Sequence, residues 1–297
     1  MSKNTNARGI LFMLASMSAF AIADTLVKVS ASIMSTAQVM FYLMAGGLVV
    51  FALLAIVQKE TLIDKRAFSP VFLLRYITEI AGMVGMVTAL AHVPISVVGA
   101  ITQASPILSA VGAFLFLKEK VGWRRWSSII IGFIGVMLIV QPGAIEFDYA
   151  VLWAIMAMIA LAIRDLTTRL MPADMASASL ATFTMVAATP FTIVWVLFNG
   201  ESFLPEQINW YVTIPMILLG SVGYLFLIAS IRSAQVSVVM PFRYSRIIFL
   251  LILGVVVFNE KPDALMLLGA ALIIGSGTYM MWREQQVKKS EQVTITE

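Results

Sequence analysis

The chain has 297 residues, 60% of them hydrophobic and only 12% charged, and 20 Lys+Arg against 16 Asp+Glu leave a formal charge of +4. A soluble domain carries roughly 25% charged residues, about 74 in a chain this long, so a single water-facing domain is excluded. With no Cys there is no disulfide, thiolate nucleophile or Cys-ligated metal, and the small positive excess gives no reason to expect nucleic acid as a partner.

Apolar runs bounded by charge or turn clusters predict an all-α polytopic membrane protein with ten spans: 9–30, 37–58, 69–91, 95–117, 124–140, 149–169, 176–198, 209–230, 235–258 and 264–282. The connectors are short turns: KETLIDKRAFSP, KEKVGWR, QPGAIEFD, NGESFLPEQIN and NEKPD. Ala19-Phe20-Ala21 after the first apolar run has the form of a signal-peptidase site, but its place in an Ala-rich segment that recurs later reads as coincidence. Lys and Arg stay on the cytoplasmic side of short loops. An inside N-terminus puts Lys3, Arg8, Lys59, Lys65, Arg66, Lys118, Lys120, Arg124, Arg125, Arg169, Arg232, Arg283, Lys288 and Lys289 inside, against only Lys28 and Lys261 outside. The expectation is a multi-pass protein of the bacterial inner membrane with both termini in the cytoplasm.

Shifting the sequence by 141 aligns MSAFAIADTLVK (Met17 to Lys28) with MIALAIRDLTTR (Met158 to Arg169), placing Asp24 on Asp165 and Lys28 on Arg169. The same shift puts Gly82 on Gly223, Ser96-Val97-Val98 on Ser237-Val238-Val239, and Glu119-Lys120 on Glu260-Lys261. The chain therefore divides into halves at 1–141 and 142–283, followed by a cytoplasmic tail at 284–297. Five spans per half is an odd number, so the second half enters the membrane from the other side and the repeat is inverted. Such repeats enclose a midplane site in secondary transporters and rock about it.

The segments FLKEKVGWRRWSSIIIGFIGVMLIV (Phe116 to Val140) and VFNEKPDALMLLGAALIIGSGTYMMW (Val257 to Trp282) each carry a Glu-containing turn before a Gly-bearing last helix. With the ten spans they resemble the drug/metabolite transporter superfamily in its EamA-type branch. MPFRYSRIIF (Met240 to Phe249) followed by VFNEKPD is further similar to the branch containing bacterial riboflavin importers and S-adenosylmethionine carriers. The resemblance implies a carrier of small metabolites, with import and export both open. No catalytic constellation is visible, so an integral membrane enzyme stands, with a channel, only as a distant alternative; no cofactor is expected, and a homodimer is compatible with the sequence.

A charge at the centre of a span costs roughly 2.5–3.5 kcal/mol on insertion scales, so each one is expected to face the protein interior. Asp24, Arg75, Glu79, Arg164, Asp165, Arg243 and Arg246 are such charges. Arg75 and Glu79 are spaced for an intrahelical ion pair, as are Asp24 with Lys28 and Asp165 with Arg169. The last two recur symmetrically and are candidates for gating or ion coupling. Arg243 and Arg246 share a face with no acid nearby in their helix. Pro241 in that ninth span, and Pro106 after Thr102-Gln103-Ala104-Ser105 in its counterpart, interrupt corresponding helices, which points to a binding site.

The expected site is a cavity lined by Arg75, Glu79, Gln103, Ser105, Arg243, Tyr244 and Arg246. Four Arg against three acids in the spans favour a substrate of anionic or carbonyl-rich character. Tyr244, with Phe242, Trp153 or Trp195, offers a stacking surface for a planar ring, and riboflavin suits that set, with S-adenosylmethionine, amino acids and drug-like metabolites behind it. Trp123, Trp126, Trp210 and Trp282 read as interface anchors. The glycine pairs 82/85, 132/135 and 220/223 read as close helix contacts. The single His92 lies in a turn, so no multi-His metal site can form, and no phosphate-binding loop is present. Transport must be driven by the substrate gradient, by exchange or by an ion.

Overall fold

A computed structural model describes residues 3–60, 64–117, 123–141, 148–171, 175, 177–205, 208–233 and 239–296. The helices are α1 (Lys3–Ala31), α2 (Thr36–Val57), α3 (Pro70–His92), α4 (Ile95–Thr102), α5 (Ser105–Leu117), α6 (Trp123–Val140), α7 (Val151–Arg169), α8 (Ser177–Phe198), α9 (Trp210–Ser233), a 3-10 turn at Met240–Tyr244, α10 (Ser245–Phe258) and α11 (Ala264–Thr296). Ten spans in two inverted five-helix halves account for them, with α4 and α5 as one broken span and the 3-10 turn with α10 as its counterpart. Among the described residues, six helices are each long and apolar enough to cross a bilayer alone: α1, α2, α3, α7, α8 and α9.

Local signals explain the ends. Ser35 caps α2 through a reciprocal capping box with Gln38. Pro70 occupies the first turn of α3, where its missing amide proton costs nothing. Asn259 stops α10 in the left-handed region at φ 53°. Asp263 receives the backbone amide of Met266 at 2.6 Å and the amide of Gln141 at 3.0 Å, contacts that hold its carboxyl below the usual range and start α11. α11 runs to Thr296, past the expected end at 282, because REQQVKKSEQVTIT contains no Gly or Pro to stop it.

The two halves are interleaved. The most extensive helix contacts, α1 with α9, α3 with α7, α6 with α11 and α2 with α8, all join one half to the other. The 141-residue shift maps the first pair onto the second and each of the others onto itself. Small residues bring these helices close. A Cβ on Gly85 would lie 2.7 Å from the Trp153 carbonyl of α7, and Cβ atoms on Gly135 and Gly269 would each come within 2.8 Å of the other's carbonyl. Gly220 has nothing within 4 Å, so that member of the expected glycine pairs makes no close contact. Large apolar side chains such as Val49, Leu53, Ile56, Val194 and Leu197 are left exposed on the outside of the bundle, as a lipid solvent requires.

Candidate functional site

The site forms where both broken spans face α1, α3 and α7. α4 ends at Gln103, whose side-chain amide donates to the Arg243 carbonyl at 2.8 Å. One hydrogen bond thus ties the interruption in the first half to the interruption in the second, and satisfies a carbonyl of the 3-10 turn. Ser105, at the start of α5, is buried beside this junction in the chain.

From there two arginines reach in different directions. Arg246 donates through Nε at 3.1 Å and through Nη2 to Oδ2 of Asp24 in α1, and its guanidinium lies 5.3 Å from the Phe20 ring centroid. Arg243 approaches Asp165 of α7, with Nη2 4.0 Å from Oδ2. Asp24 and Asp165 are equivalent under the shift of 141, so a single broken span engages the same carboxylate position in both halves. Asp165 is also held by Arg164, whose Nη2 and Nε lie 2.9 and 3.2 Å from Oδ1. Arg164 extends to Glu79 of α3 at 3.5 Å, and Arg75 donates to the Thr168 hydroxyl at 2.6 Å.

Two expected pairings are corrected by this arrangement. Arg75 and Glu79 do not pair along α3; each turns to α7, because the close α3–α7 contact at Gly85 offers Thr168 and Arg164 at shorter reach. Asp24 pairs with Arg246, not with Lys28. Lys28 Nζ instead donates to the carbonyls of Leu90 and Val93 at 3.0 and 2.6 Å and sits 5.5 Å from the Phe258 ring centroid. Asp165 pairs with Arg164 and Arg243, and the side chain of Arg169 lies outside the described residues. The expectation that Arg243 and Arg246 lack an acid in their own helix is met by acids from α7 and α1.

Tyr244 is buried against α11, where a Cβ on Gly277 would meet its hydroxyl oxygen at 1.9 Å. Its hydroxyl, the Ser245 hydroxyl and Arg75 Nε are buried without a hydrogen-bond partner among the described residues. Unpaired polar atoms in an apolar interior are costly, and ligand contact is one way to satisfy them. Of the proposed stacking rings, Trp195 makes an edge contact with Phe191 at 5.1 Å, and Trp153 is partly exposed on α7.

Above the charged cluster, the end of the bundle carrying the α1–α2, α3–α4 and α8–α9 turns is closed by bonds between halves. This is the distal end of the bundle. Glu260 accepts from the backbone amides of Ile95 and Ser96 at 2.6 and 3.1 Å and from the Ser96 hydroxyl, so a carboxylate of the second half caps the positive N-terminus of α4 in the first. A pocket lined by Ser96, Gln141, Glu260, Lys261 and Asp263 opens there, away from the arginine cluster. Glu119, the counterpart of Glu260, falls outside the described residues.

A further pair of carboxylates escaped the sequence reading. Glu201 accepts from Ser35, the cap of α2, at the distal end; Glu60 accepts from the amide and hydroxyl of Ser179 in the first turn of α8 at 3.1 and 3.2 Å, at the opposite end. The shift of 141 relates Glu60 to Glu201, a signal present in the repeat itself. Thr168, one turn beyond Arg164, and Phe20 were missed because each is uncharged and lies in an uninterrupted helix, where nothing local marks it out.

The EamA-like transporter family model matches residues 7–141 and again 148–282. An S-adenosylmethionine uptake transporter of Rickettsia bellii is 25% identical over 237 residues, 77% of each chain. A riboflavin transporter of Vibrio cholerae is 26% identical over 228 residues, 74% of each chain. A pseudopaline exporter of Pseudomonas aeruginosa is 25% identical over 272 residues, covering 90% of this chain and 93% of that one. A crystal structure shares the fold with a TM-score of 0.62 at 14% identity, over 97% of this chain and 99% of the other.

Proposed function

Because the chain belongs to the EamA-like transporter family, we propose that it is an alternating-access carrier that takes up riboflavin across the bacterial inner membrane, with both termini in the cytoplasm. One observation carries this reading: the broken ninth span engages Asp24 of the first half and Asp165 of the second through Arg246 and Arg243. An inverted repeat whose halves meet on one interrupted helix gives the substrate a site whose surroundings change when the halves rock. Such rocking would act on Asp24 in α1 and Asp165 in α7, the two carboxylates that the ninth span engages, and on Lys28 at the distal closure.

Riboflavin leads because the cluster contains four arginines against Asp24, Glu79 and Asp165, an excess suited to ring carbonyls and unfavourable to a net cation. A second reading, S-adenosylmethionine, is supported by the names of relatives similar over the same share of the chain, and by the same three acids, which could face its sulfonium and ammonium groups.

Expression in a riboflavin-auxotrophic bacterium at limiting vitamin is the direct test. Growth should be rescued by the wild type and lost with Arg243→Ala. No rescue despite normal membrane insertion removes riboflavin, and rescue of a strain unable to make S-adenosylmethionine would put the second reading in its place.

A further inference from the structure

The four arginines are not equivalent, and the difference lies in how their donors are used. Arg246 directs Nε and Nη2 at one oxygen of Asp24 and covers Phe20. Arg164 is engaged by Asp165 and Glu79. Arg243, by contrast, makes no side-chain hydrogen bond among the described residues; its nearest acid oxygen is 4.0 Å away, on a carboxylate whose other oxygen already serves Arg164. Arg75 donates once, to Thr168, and its Nε is buried without a partner.

We propose that Arg243 and Arg75 together hold a two-acceptor edge of the substrate, a carboxylate or an imide, while Arg246 is a structural partner of Asp24. This rests on the carrier reading and names the chemical group its site recognises. Arg75 donates to Thr168, three residues along α7 from the Asp165 that Arg243 approaches at 4.0 Å, so the two arginines reach neighbouring positions on one helix from different halves. Around these positions three guanidiniums, Arg75, Arg164 and Arg243, meet two carboxylates, Glu79 and Asp165, leaving one positive charge without a counter-charge. In a bilayer interior such a charge calls for a partner, and a planar guanidinium fork matches two adjacent acceptor oxygens. The α-carboxylate of S-adenosylmethionine presents two adjacent oxygens to a single fork, whereas the imide edge of the riboflavin ring presents two carbonyl oxygens on either side of an N–H, one for each arginine. Gln103 adds to the fit by fixing the Arg243 backbone at the junction of the broken spans, so the root of the side chain is set before the substrate arrives.

The test is transport kinetics in proteoliposomes with Arg243→Gln and Arg243→Lys, at matched amounts of folded protein judged by melting. Arg243→Gln should raise KM about tenfold or more with Vmax within about threefold, and Arg243→Lys should recover part of the loss, because it keeps the charge but not the fork. A KM within about twofold of wild type, or a loss confined to Vmax, overturns the proposal. A wild type that moves neither riboflavin nor S-adenosylmethionine contradicts the substrate reading instead. The recognition proposal is then decided by thermal stabilisation of the purified carrier with succinimide, and with alanine against alanine methyl ester. Stabilisation by the imide or the acid that disappears in Arg243→Gln supports it; equal shifts in both proteins, or none in the wild type, overturn it.

Discussion

Linking position 96 to position 260 through the pair Ser96→Cys with Glu260→Cys is expected to reduce transport by about twentyfold or more, with flux returning on reduction. The chain has no native Cys, so the introduced pair is the only thiol chemistry present. The effect follows from what the link joins. Glu260 caps α4 across the two halves at the distal end, next to the Lys28 ammonium and the Phe258 ring. A path from that side to the arginine cluster has to part these groups. The pair Ser35→Cys with Glu201→Cys lies at the same end and should leave flux within about twofold, because Glu60 and Glu201 latch both ends of the α2–α8 contact at once in this one conformation. A contact closed at both ends is expected to stay together as a strut while the other helices move. Equal inhibition by the two links would contradict this division, as would free transport through the first.

The second large effect concerns the Asp24–Arg246 pair. Removing one partner of a buried ion pair strands the other charge and costs about 3–5 kcal/mol. Asp24→Ala and Arg246→Leu are each expected to lower the melting temperature of the purified protein markedly. The double variant, which leaves no unpaired charge, should melt closer to wild type than either single variant. Additive losses would mean that the two side chains are stabilised independently. In transport the double variant should still bind substrate if Arg243 and Arg75 carry recognition, which separates this pair from the binding groups.

Much of the architecture was legible because membrane insertion is read locally. Twenty-odd apolar residues between charged turns define a span whatever surrounds it, and the shift of 141 carried the inversion without any knowledge of packing. The interrupted spans were legible for the same reason, since Pro241 and the polar stretch before Pro106 disturb helices from within. Partner choice was not. The spacing of Arg75 with Glu79, and of Asp24 with Lys28, suggested pairs along one helix, the only contacts a linear reading can compute. The true partner of Asp24 is 222 residues away, and the side chain of Lys28 is taken by the end of α3 because that helix finishes beside it with free carbonyls. The capping Glu60 and Glu201 were hidden differently: each sits in a polar turn where a Glu needs no explanation, and only the other half of the repeat marks it out.

In the proposed function, a small metabolite crosses the membrane on a site shared by the two halves. Counterflow in proteoliposomes tests it most directly: vesicles loaded with unlabelled riboflavin should accumulate labelled riboflavin transiently and saturably, and should cease to do so with Arg243→Gln at low substrate. Flux that rises linearly with concentration, or no counterflow with either riboflavin or S-adenosylmethionine, would contradict it.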